Sequence, residues 1–459
     1  MRAGAPILPR PAAPGHDGLA WHPPAVLLVV ALAFGGGGAS HPVAATLIET
    51  VAVIALAWSV GGARAEPMTH RRCVPLYLLL AFAATHLIQL VPLPSAVWRG
   101  LPGREWSTTI RDTLGAGTGA YPLSLDPAAT LRMLTGLIPA AAMLWMVPRL
   151  ACAQRTMLAR LAIGVALVSL ALGAVQFLTA GAAGTLYPEG HVGNATGLFA
   201  NRNHQATLLL LALALAPAVT SRTPAGLAAA AGLVAVFAAG VIATTSRAGL
   251  LLLPLASLPL LLRLSGRRRW WEWAGLALAI AGAIAGAVVV AEARGGMVRV
   301  VLDRLRTGNL VRMQFWQDSW PAVIAYWPFG TGYGTFAAIF RSVEPIGHLG
   351  PNYVNHAHNE LIELALEGGL PAVLVAAAAV CCWLAAAWSI AGRSRTERPL
   401  AISGWAGTGV LFLHALVDYP VRLLPIAVIG AMLAAFLTPA AMLPRGTRRA
   451  ISGNAPSCA

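Results

Sequence analysis

The 459-residue chain is 57% hydrophobic and only 11% charged, with 32 basic against 17 acidic residues, a formal net charge of +15 and a mean hydropathy of +0.69. A soluble domain carries about 25% charged residues, so this composition excludes an ordinary soluble enzyme, and the long unbroken apolar runs exclude an outer-membrane β-barrel. Every basic residue is an arginine, and the arginines sit between apolar runs rather than in one patch. The charge therefore does not imply nucleic-acid binding, and no RNA- or DNA-binding pattern is present.

Residues 1–24 are rich in Pro and Gly and read as a disordered cytoplasmic tail. The apolar run that follows lacks a small-residue cleavage site and continues into further spans, so it reads as an anchor rather than a removable signal. Stretches at about 25–40, 43–63, 73–94, 129–147, 157–180, 204–220, 225–243, 248–263, 271–292, 371–390, 399–416 and 423–441 read as transmembrane helices. The expected fold is all-α: a transmembrane domain of about twelve helices over 25–441, with a cytoplasmic tail at 442–459.

Arginines fix the expected orientation. Arg64, Arg71 and Arg72, then Arg149, Arg155 and Arg160, Arg222, the Arg267–Arg268–Arg269 cluster, Arg393, Arg395 and Arg398, and finally Arg445, Arg448 and Arg449 fall on one side. By the positive-inside rule that side is cytoplasmic, and both termini lie inside. The five cysteines avoid the outward loops, which argues against disulfides and against a Cys-based metal site.

Three outward segments are longer than turns. The first, about 95–128, carries Trp98, Trp106 and Tyr121, suited to an interfacial belt, and ends in SLDPAAT, where Ser124 or Asp126 can cap the next helix. The second, about 181–203, ends in GNATGLFANRNHQA. Its Asn194-Ala195-Thr196 sequon carries no weight. The third is the large outward loop, about 293–358, whose RMQFWQDSW stretch reads as a short amphipathic helix. It leads into the motif below, so the outward region reaches about 370.

That motif is PNYVNHAHNELIELALEGGLPA, residues 351–372. Asn355, His356, His358 and Asn359 crowd together, and Glu360, Glu363 and Glu367 follow at helical spacing, which places three carboxylates near one face. Asn359 can cap this helix, Gly368-Gly369 supply a stop, and Pro371 suits the start of the next span.

The polar clusters gather on the outward side: Asn201-Arg202-Asn203-His204 at the mouth of one span, Arg247 at the start of another, Arg312 in the large loop, and His356 and His358 at its end. An arginine fork holds phosphate oxygens bidentately and stays charged, and an arginine such as Arg247 near the membrane is costly unless partnered. Snorkelling to the interface (Arg247) or a solvated helix face (Arg312) are the structural alternatives. Histidine can take a proton from a sugar hydroxyl near neutral pH. Of His356 and His358, one is expected to face a cleft. A His-x-His metal pair is the alternative, but no second His-rich cluster lies outside, and no metal is expected. His414 and Asp418 at i,i+4 are expected to satisfy each other, and Glu49 and Arg132 could form a buried pair.

In this order the residues resemble the O-antigen ligase/polymerase superfamily of bacterial inner-membrane glycosyltransferases. The family signature is His-[Asn/Ser/Gln]-x9-Gly-x-x-[Gly/Thr/Tyr]. His358-Asn359, nine residues and Gly369 fit it, while Ala372 departs at the last position. Arg247 to Leu251 resembles the family's Arg-x-x-x-Leu element, FANRNHQA its Asn-x-Asn-His segment, and SLDP its pre-helix segment. The similar core runs from about 124 to 441. The resemblance implies transfer or polymerisation of a glycan from an undecaprenyl-pyrophosphate-linked oligosaccharide to a glycan or lipid acceptor, at the periplasmic face of the inner membrane, without a metal or other cofactor. On this reading Arg247 and Arg312 hold the pyrophosphate and His358 activates or orients the acceptor hydroxyl. Asn201, Arg202, Asn203, His204, His356, Asn359 and Glu367 line the substrate. A lipid-linked glycan flippase or other transporter, and a non-catalytic envelope-assembly scaffold, are the rival readings; transporters place ionisable groups at the midplane, whereas here they gather at one face.

Overall fold

The computed structural model describes residues 20–61, 70–221, 223–264, 310–350 and 353–441. It is 73% helix and 2% strand. The helices are α1 (His22–Phe34), α2 (Pro42–Gly61), α3 (His70–Leu90), α4 (Ser95–Arg99), α5 (Glu105–Thr113), α6 (Pro127–Thr135), α7 (Ile138–Met146), α8 (Cys152–Leu178), α9 (Arg202–Val219), α10 (Pro224–Ala243) and α11 (Arg247–Leu264). After the break come α12 (Leu310–Tyr326), α13 (Phe336–Val343), α14 (Glu360–Ile390), α15 (Arg398–Ala415) and α16 (Leu424–Phe436). One small antiparallel ribbon pairs β1 (Pro92–Pro94) with β2 (Ala120–Pro122), Leu93 opposite Tyr121.

Helices stand at every expected span except 271–292, which lies outside the described residues together with Arg267, Arg268 and Arg269, loop residues 293–309 and most of both expected tails. α1 begins at His22, inside the stretch read as tail. Among the described residues, six helical stretches are long and apolar enough to cross a bilayer: Pro42–Gly61, Arg72–Leu90, Pro127–Arg149, Cys152–Leu178, Pro224–Ala243 and Glu360–Ile390. The protein is a multi-pass helical membrane protein.

α9 is the centre of the bundle. Every residue from Asn203 to Pro217 is buried, and α8, α10, α11 and α15 surround it. A helix that is apolar on all sides has no solvent face to offer, and burial in the middle of a bundle is its stable place. α14 is the opposite case, with only 6% of its apolar window buried; it packs against α3, α12, α13 and α15 and leaves most of its apolar length uncovered.

Arginines tie off one end of the bundle. The end of α16 and the residues just after it leave carbonyls without helical partners, and three arginines from elsewhere in sequence reach them. Arg72 donates to Ala440 (2.9 Å), Arg393 to Leu437 (2.5 Å), and the buried Arg155 to Thr438 (2.8 Å), Pro439 (3.0 Å) and Ala435 (3.3 Å). Cations at a helix carboxyl end also suit its dipole.

At the other end, α14 bends where the sequence predicted a corner. Gly369 has φ +62° and ψ −155°, which splits α14 into a short amphipathic helix and a long apolar one. The Leu370 N–H donates to Pro328 O (2.8 Å), and Gln89 at the end of α3 donates to Glu367 O (2.7 Å). Both expected caps form: Asn359 Oδ1 accepts from the N–H groups of Leu361 and Ile362, and Asp126 Oδ1 from that of Ala129. Ala372, where the signature departs, is fully buried.

Candidate functional site

Asp418, in the turn after α15, is the hub of the histidine-rich end. Its carboxylate is completely buried and surrounded by donors. His358 Nδ1 donates to Oδ1 at 3.0 Å, as does the Tyr419 N–H at 3.0 Å. Asn203 Nδ2 donates to Oδ2 at 2.7 Å, and Arg312 Nη2 approaches the same oxygen at 3.5 Å while its Nη1 donates to Val417 O. Burial pushes the Asp418 carboxyl up, but the His358 hydrogen bond and the charges of His358 and Arg312 outweigh it and hold the group well below the usual carboxylate range.

An ionised carboxylate only accepts, so the His358 nitrogen facing it carries a proton, and in the neutral ring that leaves Nε2 as the acceptor. The His358 backbone stands at φ +53°, a sparsely populated conformation for a residue with a Cβ. Such strain persists only where surrounding contacts enforce it, and it concentrates at functional positions. Thr245, two residues before Arg247, shares it at φ +55°.

A second constellation lies beside the first. Arg422 extends from the Pro420–Arg422 turn and meets all three carboxylates of the α14 face: Nε to Glu360 (3.0 Å), Nη2 to Glu363 (3.2 Å) and Nη2 to Glu367 (2.9 Å). Burial alone would lower the Arg422 guanidinium, but the three carboxylates outweigh it and hold it well above the usual arginine range. Glu363 also accepts from His356 Nδ1 (3.1 Å) and from the Ala357 N–H (2.8 Å); Glu367 accepts from the Phe336 N–H (2.9 Å). Tyr419 stands between the two constellations, its ring 3.9 Å from that of His356 and 5.0 Å from that of His358.

Most of the residues singled out from sequence meet here. His358, Arg312 and Asn203 share Asp418, and His356 and Glu367 share the Arg422 cluster. His204 is buried with its ring 5.1 Å from Tyr419. Asn201 caps α9 by accepting from the Asn203 N–H (2.9 Å), and Asn359 is used as a cap. Arg202 donates to Asn194 Oδ1 (3.0 Å), which also receives the Thr245 hydroxyl (3.5 Å); Arg247 opens α11 directly beyond, at the same end of the bundle.

Two expected pairings do not form. His414 pairs with Thr207 (2.9 Å) one turn deeper instead of with Asp418, whose carboxylate is taken by His358, Asn203, Arg312 and the Tyr419 N–H. Glu49 accepts from Thr135 (3.4 Å), and Arg132 is exposed. Asp418, Glu363 and Arg422 were not singled out as site residues. Glu363 carried the helical spacing of the carboxylate face and Asp418 its i,i+4 spacing to His414; for Arg422 the sequence signal is a charged residue beside an apolar helix. Among the described residues no set of three or more His, Cys, Asp and Glu is arranged to hold a metal ion.

The fold and site define a class: a multi-pass membrane protein with a buried, charge-balanced His/Asp/Arg/Glu centre at one end of its bundle. Residues 231–377 match the family model described as O-Antigen ligase, and the match supports the resemblance to the O-antigen ligase-related superfamily read from the motifs. That segment includes Arg247, Arg312, His356, His358 and Gly369, while Asp418 and Arg422 lie beyond it. The match points to glycan transfer in polysaccharide biosynthesis. No curated protein matches the chain.

Proposed function

We propose that the protein is a metal-independent glycosyltransferase of the bacterial inner membrane. It takes a glycan from an undecaprenyl-pyrophosphate carrier at the periplasmic face and passes it to a glycan or lipid acceptor. The histidine-rich end is the periplasmic one, and the arginine-tied end is cytoplasmic, as are both termini. The observation that carries this reading is the His358–Asp418 pair with Arg312 on the same carboxylate. Asp418 fixes the His358 tautomer and stabilises the imidazolium formed when Nε2 takes the acceptor's proton. Arg312, with Arg247 from α11, holds the pyrophosphate as negative charge develops on it. Bringing acceptor hydroxyl and anomeric carbon together supplies the rest.

One observation favours a transporter instead. A cavity of about 2480 Å³ is lined by His356 and Asn201 towards one end and by Arg393 and Glu397 towards the other, as a translocation path would be. Reconstitution with a purified lipid-linked oligosaccharide separates the two readings. Transfer to an added acceptor supports the enzyme; movement of the oligosaccharide between leaflets without transfer supports the transporter.

A further inference from the structure

Helix α12 is apolar on the face it packs and apolar on the face it leaves bare. Phe315, Ala322, Val323 and Tyr326 turn inward against α13 and the short half of α14. On the opposite side Met313, Gln317, Trp320 and Ile324 recur four, three and four positions apart, so they form one stripe. All four are exposed, Trp320 at 54% and Ile324 at 63%, and only Gln317 is polar. α13 is the contrast. It packs on α12 and on the same part of α14 but turns Arg341 and Ser342 outward, as a helix facing water does.

The bare stripe does not end with the helix. Trp327 and Phe329, in the turn that follows, are exposed as well, and this turn is bonded to two neighbouring spans. Gln89, near the end of α3, donates to Phe329 O (3.5 Å), and Pro328 O accepts from the Leu370 N–H at the elbow of α14 (2.8 Å). Beyond these contacts the exposed apolar surface runs on along each span, through Leu87 and Ile88 of α3 and Leu370 and Leu374 of α14. Both spans are long and apolar enough to cross a bilayer, so their uncovered faces meet acyl chains. The α12 stripe extends that face sideways. With 17 residues, about 25 Å at 1.5 Å per residue, and with its end held against the end of α3 and the elbow, α12 lies beside the spans at the edge of the bilayer.

We propose that α12 is an interfacial helix whose bare stripe, with Trp327 and Phe329, is seated on phospholipid at the boundary of headgroups and acyl chains. A contiguous exposed apolar patch marks a contact surface, and here it continues a face already turned to lipid. Tryptophan is favoured at that depth because its ring is apolar and its N–H finds a polar partner there. A helix held in this plane binds through the apolar area it buries. The consequence for the site is positional. Arg312, beside Met313 in the first turn, points away from the stripe to Asp418 and Val417. Seating α12 on lipid therefore sets the depth of that centre relative to the headgroups. The inference stands without the glycan-transfer reading, since a transporter or a scaffold would seat the helix in the same way.

The test is fluorescence quenching of the full chain in phosphatidylcholine nanodiscs. In a background with the five cysteines replaced by alanine, the environment-sensitive dye NBD is attached at Trp320→Cys or at Ile324→Cys. Arg341→Cys on α13 serves as the water reference and Val380→Cys on α14 as the lipid reference. Both α12 labels are expected to be quenched at least about twofold by phospholipid carrying a doxyl group near its headgroup, and far less by aqueous iodide. The Arg341→Cys label should show the reverse. The Val380→Cys label should respond best to a doxyl group near the chain terminus, which makes the α12 labels shallower than the span. Labels at 320 and 324 that follow the Arg341→Cys reference overturn the proposal. So do labels that neither quencher reaches, which would mean that protein, a second copy of the chain included, covers the face. Quenching needs no turnover, so a protein that is quenched as expected but transfers no glycan refutes the enzymatic reading and not this placement.

Discussion

The carbonyl oxygen of Pro328 lies 2.1 Å from where a Cβ on Gly369 would stand, and Gly369 sits at φ +62°. The glycine of the His358-Asn359-x9-Gly signature is therefore the point where α14 folds over the turn that follows α12. An alanine there would meet backbone, and a backbone at positive φ with ψ near −155°, which is essentially restricted to glycine, alone costs about 1–3 kcal/mol. Gly369→Ala is expected to reduce the yield of monodisperse protein on size exclusion severalfold. Gly392→Ala meets nothing nearer than Ser389 O at 3.9 Å and should behave as the unaltered protein does. Equal yields for the two would mean that the elbow is not tight.

That elbow was legible in sequence, because Gly-Gly-Leu-Pro between an amphipathic run and an apolar run has few other solutions. The caps at Asn359 and Asp126 and the shared face of Glu360, Glu363 and Glu367 followed from local spacing in the same way. What joins the site was not legible. Asp418 meets His358 across 60 positions and Asn203 across 215, and Arg422 meets Glu360 across 62. Periodicity says which face a residue occupies, not which face of another helix it will meet. His414 and Asp418, at helical spacing, invited a local pairing that tertiary partners displaced.

Asp418 gives a pH prediction with a definite sign. Its carboxyl is held below the ordinary value, so the stability it contributes is fully present above its unfolded value of about 4 and is lost as pH falls through the lower folded value. The melting-temperature gap between the unaltered protein and Asp418→Asn should be constant from about pH 8 to about pH 5 and shrink below about pH 4. A gap that widens on acidification would show that the carboxylate is not held ionised.

Arg422 serves three buried carboxylates, and removing it strands them. Breaking a buried pair by deleting one partner typically costs about 3–5 kcal/mol. Arg422→Ala is expected to lower the melting temperature sharply. Adding Glu360→Gln and Glu367→Gln, which remove two of the stranded charges, should recover part of the loss. No recovery in the triple variant would mean that Arg422 acts by packing alone.

If Arg247 and Arg312 hold pyrophosphate, geometry matters as much as charge. Lysine supplies a point charge and no fork. Arg247→Lys and Arg312→Lys are each expected to cut glycan transfer at least about tenfold at matched protein level. Arg312→Lys should also weaken the contacts to Asp418 and Val417 and lower thermal stability slightly. Near-normal transfer by both variants would remove the pair from the reacting centre.

His358 is the sharpest test, because three independent features converge on it: the bond to a buried, ionised Asp418, a backbone at φ +53°, and its place at the start of the signature. A positioned general base contributes about 10²–10⁴-fold. His358→Ala is therefore expected to lower transfer at least about 100-fold while the protein inserts normally and still binds lipid-linked donor in a filter assay. Glutamine can donate to Asp418 and hydrogen-bond the acceptor, but it cannot take a proton at accessible pH. Partial activity in His358→Gln would assign the ring to orienting the acceptor, and activity as low as that of His358→Ala would assign it to proton transfer. Full transfer by His358→Ala would place the chemistry elsewhere in the bundle.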